Sequence, residues 1–136
     1  MSYKYLDHTA DLGVEVKGRT LVELFVNTAK AIFETQIKGK IVKKENLSFE
    51  IKGISPEELL IEWCRELLYN FSVKGFIPKE YKIEITDNFR LMADLKGDIF
   101  DIKRHQVKLE IKNATYHKLS VTKIKDNYYA TIIFDV

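Results

Sequence analysis

Two stretches of the chain place apolar residues at the spacing of an amphipathic helix. The first covers residues 20–36 and begins with Thr20 and Glu23 in the arrangement of a capping box. The second begins at Ser55, has a proline at its first helical position, and stops before Gly75. The pattern therefore predicts two helices, each with one apolar face.

Most of the remaining chain alternates apolar and polar residues with a period of two, which is typical of strands covered on one face. Residues 96–98 carry a turn signal, and residues 126–127 predict the turn of a hairpin. Strands are predicted at 14–16, 47–51, 83–85, 91–95, 107–111, 121–124 and 128–134. The order of elements predicts an α+β fold, with both helices packed on one face of a mostly antiparallel sheet.

Composition favours a single folded domain covering residues 1–136. Hydrophobic residues make up 46% of the chain and charged residues 31%, with only 6 glycines and 2 prolines, which argues against disorder. The one cysteine, Cys64, lies on the apolar stripe of the second helix, and a single cysteine excludes an internal disulfide and a multi-cysteine zinc site. No apolar run is long enough for a membrane span or a signal peptide, so we expect a cytoplasmic protein.

Positive charge is concentrated in one part of the chain, although the formal net charge is only +2. Residues 101–125 contain seven lysines and arginines against two acidic residues. Such a stretch is typical either of a surface that meets an acidic partner or RNA phosphates, or of an ordinary solvated strand face.

Candidate chemistry begins in the loop between the first two predicted strands. Asp7, His8, Thr9 and Asp11 place two carboxylates, an imidazole and a hydroxyl within five residues. These are possible metal ligands, but Asp and Thr are also ordinary turn residues, so the loop alone leaves both interpretations open.

Two further histidines stand in polar surroundings. His105 follows Arg104 after a turn that Asp101 would cap, and His117 follows the predicted end of a strand. A lone histidine is more often a structural hydrogen-bonding group than a ligand, so neither position predicts a site by itself.

The end of the chain is the last candidate. Asp135 supplies a carboxylate and Val136 supplies the α-carboxylate, directly after an apolar strand. Hard cations such as Ca²⁺ and Mg²⁺ select oxygen ligands of this kind, and a strand held in a sheet would keep them in place. Nothing in the spacing shows whether the loop at 7–11 lies near this end.

Five motifs, in order and spread over nearly the whole chain, make it resemble the archease family. They are YLDHTAD at 5–11, L-L-x-E-W-x-x-E-L-L-Y at 59–69, G-D-x-x-D-x-x-R-H at 97–105, K-x-A-T-Y-H at 112–117 and IFDV at 133–136. The chain departs from the usual pattern at Asn113, where a small or apolar residue is more common, and at Tyr128-Tyr129, where a tryptophan is common. Neither departure touches a proposed ligand.

The resemblance implies a function that spacing alone does not indicate. Archeases are accessory proteins of the RtcB-type RNA ligase, which joins tRNA exon halves with GTP and a divalent metal ion. Archease promotes guanylylation of a histidine of the ligase and sustains multiple turnover. The family fold has an α+β body with a small strand-rich insertion. The resemblance therefore implies a non-enzymatic protein whose partner is the ligase and whose connection to tRNA is indirect, through that ligase.

The resemblance also implies a divalent metal site, occupied in the family by an ion assigned as calcium, with Mn²⁺ or Mg²⁺ as physiological alternatives. Carried over motif by motif, its ligands are Asp11, Asp135 and the terminal Val136. The residues carried over with less certain roles, as a secondary site or as partner contacts, are Asp7, His8, Lys112 and His117. Lys112 has an equally ordinary interpretation as a solvated lysine.

Two other classes of function stay open. The first is a metal-dependent phosphoesterase using Asp11, Asp135 and His8, although the sequence offers no assembled base and nucleophile and no glycine-rich phosphate loop. The second is a general chaperone or RNA-binding module, which only the basic stretch at 101–125 favours, since no RRM or KH motif is present.

Overall fold

A computed structural model describes residues 2–6 and 11–136 of the chain. Within them, two helices and nine strands follow one another along the sequence. The elements are β1 (Tyr3–Leu6), β2 (Leu12–Gly18), α1 (Leu21–Gln36), β3 (Ile37–Lys38), β4 (Glu45–Lys52), α2 (Pro56–Lys74), β5 (Phe76–Ile85), β6 (Arg90–Ile99), β7 (Gln106–Val107), β8 (Asn113–Ile124) and β9 (Asn127–Asp135). The α+β class predicted from the sequence is confirmed, and all strand pairs are antiparallel.

Both helices begin where their capping residues predict. The Thr20 side chain accepts a hydrogen bond from the backbone N–H of Glu23 at 3.0 Å, and Ser55 accepts one from Glu58 at 3.1 Å. These bonds satisfy N–H groups that the first turn of a helix leaves without partners. Helix α2 ends at Gly75, whose φ of 71° lies in the left-handed region that closes helices with a glycine cap.

A four-stranded sheet in the order β1-β2-β9-β8 carries one face of the core. Val14 pairs with Ile132, and Val16 with Ala130, so their side chains share one face of the sheet. These four residues are at most 1% exposed, because α1 packs against this face and α2 packs against β8 beside it. The sequence therefore builds a sheet with one buried face, as its alternation indicates.

A second sheet, of three strands in the order β4-β6-β5, contacts the helices as well. The link is Trp63 of α2, which is fully buried and donates from Nε1 to the backbone oxygen of Phe25 in α1 at 2.9 Å. Its ring lies 6.2 Å from the ring of Phe25 and 5.8 Å from the ring of Phe49 in β4. The helices are therefore in contact with two sheets. The third sheet consists of the two short strands β3 and β7.

The turn predicted at 96–98 is wrong, because β6 runs on through these residues to Ile99. Gly97 pairs with Glu45 on one side and with Pro78 on the other. A Cβ at Gly97 would lie 2.0 Å from the carbonyl oxygen of Ile77, so glycine is needed here for the close approach of β5. The glycine that suggests a turn in the sequence serves strand packing in the fold.

The strand predicted at 107–111 is also wrong beyond its first residue. Only Gln106–Val107 pairs, with β3, and the chain then leaves the sheet. The side-chain oxygen of Gln36, a residue that is fully buried, accepts a hydrogen bond from the N–H of Ile111 at 2.9 Å and takes the place of a strand partner. The C-terminal hairpin is confirmed, but Ile124 pairs with Asn127, which makes Lys125 and Asp126 the turn.

Among the described residues, neither helix combines the length and apolarity that crossing a membrane requires.

Cys64 should be chemically inert in the folded protein. It is fully buried in α2, and burial raises the pKa of its thiol, so the reactive thiolate is suppressed. We expect labelling by a bulky disulfide reagent to be more than about a hundredfold slower in the native state than in urea, because access requires unfolding. Stopped-flow labelling with and without urea measures this ratio. Equal rates would contradict the burial of Cys64 in the folded protein.

Candidate metal centre at one end of the four-stranded sheet

The pairing of β2 with β9 brings the two ends of the chain to one end of the sheet. Leu12 pairs with Phe134, and Asp11 directly precedes Leu12 just as Asp135 directly follows Phe134. Since the two strands are antiparallel, the residues beyond this last pair lie at the same end of the sheet. The structure thus places Asp11 beside Asp135 and the terminal Val136, which lie more than a hundred residues away in sequence.

The backbone of Asp135 is held from the other side by β8. Asn113 pairs with Asp135, and the N–H of Lys112 donates to the carbonyl oxygen of Asp135 at 2.7 Å. The side chains of Asp135 and Lys112 are both exposed. Because Phe134 is paired with β2 and Asp135 with β8, the backbone of this strand terminus is held up to Asp135, in contrast to a frayed chain end. Lys112 directly precedes β8 and lies outside the strands.

The potential metal ligands at this end of the sheet are oxygen atoms. The donors expected from the sequence are the carboxylates of Asp11 and Asp135 and the α-carboxylate of Val136, which suit a hard divalent cation. Across residues 2–6 and 11–136, no three histidine, cysteine or acidic side chains come together as a metal cluster. The donor set fits Ca²⁺, Mn²⁺ or Mg²⁺ in kind, and with one oxygen from each group it supplies three of the roughly 6–8 oxygens that calcium takes.

Three other sequence candidates have different outcomes. Asp7 and His8 lie outside the described residues. His117 is exposed on β8, where the pairing with β9 is irregular between Thr115 and Ser120, and its backbone N–H donates to Thr115 Oγ1 at 3.3 Å. The strand end predicted before His117 is corrected, because β8 continues past it to Ile124.

Asp98, which lies in the turn predicted at 96–98, is the centre of a buried polar network. It is 2% exposed, and its two carboxylate oxygens accept hydrogen bonds from Nη1 and Nη2 of Arg104, at 2.7 and 3.0 Å. The backbone N–H groups of Val42 and Ile99 add bonds of 3.1 and 2.9 Å. The hydrogen bonds from Arg104, followed by those from the backbone, hold the pKa of Asp98 well below its usual range.

His105 belongs to the same network and is structural. Its Nδ1 accepts a hydrogen bond from the N–H of Asp101 at 3.0 Å, so the ring proton resides on Nε2, which donates to the carbonyl oxygen of Lys40 at 2.9 Å. The Asp101 side chain accepts from the N–H of Lys103 at 2.9 Å, which confirms the predicted capped turn. Asp98 and His105 therefore link residues 98–105 to residues 40–42.

The protein is thus a small α+β protein in which Asp11, Asp135 and Val136 lie at one end of the four-stranded sheet. Comparisons with known proteins identify its family. Residues 3–136 match the model of the Archease protein family (MTH1598/TM1083), so the chain belongs to the archease family. Protein archease of Archaeoglobus fulgidus is 34% identical over 100% of both chains. That of Methanosarcina barkeri is 33% identical over 98% of this chain and 95% of its own length.

Solved structures agree with the family assignment. Protein 1598 of Methanobacterium thermoautotrophicum superposes with a TM-score of 0.85 at 27% identity and covers 99% of each chain. A protein of Thermotoga maritima, described as an archease and possible chaperone, superposes with a TM-score of 0.67 over 98% of this chain and 96% of its own. At 22% identity, this second likeness concerns the fold alone.

Proposed function

We propose that this chain is a non-enzymatic accessory protein of the RtcB-type RNA ligase in tRNA splicing. In this role it promotes the GTP- and metal-dependent guanylylation of the ligase and sustains its turnover. Family membership supports the proposal. The observation that carries it is the β2–β9 register, which brings the backbone of Asp11 to the same end of the four-stranded sheet as Asp135 and Val136.

The sheet end is suited to act together with a partner. Asp135 and Val136 are exposed, so groups of the ligase can approach the same oxygens that hold a cation. A bound divalent ion would supply positive charge that stabilises the phosphates of GTP. Asp11 and Asp135 would position that charge, and the exposed Lys112 beside them would contact phosphate or an acidic residue of the ligase.

The incomplete ligand set is consistent with this role. Three protein groups that each give one oxygen would leave coordination positions for water or a partner, because calcium takes about 6–8 oxygens. A bound cation would relieve the repulsion between these carboxylates. If the ligase supplied further oxygens to the same cation, ion binding and partner binding would reinforce one another. The ligase is thus the macromolecule that would meet this surface, and tRNA would be reached through it.

A ligation assay tests the proposal. Limiting purified ligase is incubated with tRNA exon halves, GTP and divalent metal, with and without this protein. We expect one or fewer products per ligase without the protein and many with it. The protein alone should give neither ligated RNA nor phosphate from GTP, since we propose no catalytic group. Steady phosphate release by the protein alone would instead support the phosphoesterase alternative.

A general chaperone is the second candidate, and the description of the Thermotoga maritima relative as a possible chaperone favours testing it. The discriminating measurement is aggregation of an unrelated protein, such as heated citrate synthase. A general chaperone would suppress that aggregation. A dedicated ligase partner would leave it unchanged while raising ligase turnover.

A further inference from the structure

A cavity of about 300 Å³ lies between the last two turns of α1, the residues after β3, and the start of β5. Its lining includes Phe33, Ile37 and Ile77, each at most 7% exposed, and the half-buried ring of Tyr81. These side chains form an apolar wall beside an opening to solvent. An apolar group that entered the cavity would leave water and gain contact with this wall.

Three lysines surround the same cavity, and they come from three separate segments. Lys30 belongs to α1, Lys40 follows β3, and Lys79 belongs to β5. All three are exposed, and none forms a salt bridge with any acidic side chain within residues 2–6 and 11–136. Like charges brought together repel, so an anion bound among them would be stabilised.

The nearest acidic residue of β5 does not neutralise this cluster. Glu80 pairs with Lys43 at 3.4 Å and with Lys96 at 4.0 Å, and not with its neighbour Lys79. The position of Lys40 is fixed as well, because its carbonyl oxygen accepts the hydrogen bond from His105. The three lysines are therefore held by ordered backbone while their charges face solvent around the cavity.

One carboxylate, Glu34, contributes to the lining and is already engaged. It accepts a hydrogen bond from the hydroxyl of Tyr3 at 2.5 Å. Three lysines minus one glutamate leave the lining with a formal charge of +2. Burial, with a contribution from Glu34, raises the pKa of Tyr81, so its hydroxyl keeps its proton and can donate to an anion.

We propose that this cavity binds a small organic anion, with a compact aromatic or branched apolar body. The body would lie against Phe33, Ile37 and Ile77. A carboxylate, sulfonate or phosphate on it would reach the ammonium groups of the lysines. A volume of about 300 Å³ is at the lower end of ligand pockets, which restricts the ligand to about the size of two or three aromatic rings. The proposal is independent of the ligase and of the metal.

Fluorescence titration with 8-anilinonaphthalene-1-sulfonate tests the proposal, because this probe joins an aromatic body to a sulfonate. The neutral N-phenyl-1-naphthylamine and inorganic phosphate each supply one half of that chemistry. We expect the sulfonate to bind at least about tenfold more tightly than either, equivalent to about 1.4 kcal/mol. Amide chemical shifts should change around residues 30–41 and 77–81. Changes confined to other surfaces, or no sulfonate binding at millimolar concentration, would overturn the proposal.

Charge reversals supply the matched comparison. Lys30→Glu and Lys79→Glu should each weaken sulfonate binding about tenfold. Lys125→Glu makes the same change of net charge at the exposed turn between β8 and β9, and should leave binding unchanged. Melting curves confirm that the variants are folded, because this probe also binds partly folded proteins. Equal weakening by all three substitutions would show a net-charge effect and overturn the site.

Discussion

A short peptide added after Val136 is expected to abolish stimulation of the ligase without unfolding the protein. The extension converts the α-carboxylate to a neutral amide carbonyl and crowds Asp135, while the buried residues of β9 can still pack against α1. Asp11→Asn and Asp135→Asn should act alike, because each removes one negative oxygen from a site suited to a hard cation. Ligase turnover with each variant should fall to near the level without the protein.

Thermal melts separate this effect from loss of folding. Without metal, the three variants should melt close to the parent, since close carboxylates repel each other there. With Ca²⁺ or Mn²⁺, the parent should gain melting temperature by mass action, and the variants should lose most of that gain. Asp126→Asn is the matched control, because Asp126 is exposed in the β8–β9 turn at the far end of the same strand. It should retain both the gain and the activity.

Asp98→Asn is expected to lower the free energy of unfolding by about 2–4 kcal/mol at neutral pH. The carboxylate is 2% exposed and receives four hydrogen bonds, two of them from Arg104. Removing one partner of a buried ion pair leaves the other without compensation, but Arg104 is 39% exposed and regains some hydration. Urea denaturation measures the difference. The exposed Asp87→Asn, as control, should change it by less than about 0.5 kcal/mol.

The same carboxylate gives the protein a specific response to acid. The pKa of Asp98 is depressed in the folded state, whereas an unfolded chain has an Asp pKa near 3.9. Its stabilising contribution is therefore complete above about pH 5 and is lost as the pH falls through 4 toward the folded-state pKa. The stability difference between the parent and Asp98→Asn should shrink on going from pH 7 to pH 3. A constant difference would show that the charge of Asp98 contributes nothing.

Local signals in the sequence were sufficient for the helices and for part of the sheet. Thr20, Ser55 and Gly75 mark helix boundaries through hydrogen bonds and backbone angles that involve only neighbouring residues. Alternation likewise identifies the buried faces of β2 and β9.

The role of Gly97 is not predictable in this way, because it permits the close approach of Ile77, a contact that no local pattern encodes. The prediction of a strand at 107–111 is wrong for the same reason. The N–H of Ile111 donates to the side chain of the buried Gln36 and not to a neighbouring strand.

The candidate sites depend still more on tertiary structure. The residue types at Asp11, Asp135 and Val136 suggested oxygen ligands, but only the register between β2 and β9 brings them to one end of the sheet. The lysines around the cavity, Lys30, Lys40 and Lys79, carried no sequence signal, because each looks like an ordinary solvated lysine by itself. Asp98 and Arg104 share the motif at 97–105, but no local pattern predicts that they form an ion pair.

The decisive measurement is the rate of guanylylation of the ligase, followed with labelled GTP at limiting metal. It asks whether the oxygen-rich end of the four-stranded sheet promotes this step. We expect a large acceleration by the parent protein and by Asp126→Asn, and none by Asp135→Asn or the C-terminally extended chain, all verified as folded. Acceleration of equal size by Asp135→Asn and by the extended chain would contradict the proposed role of the sheet end.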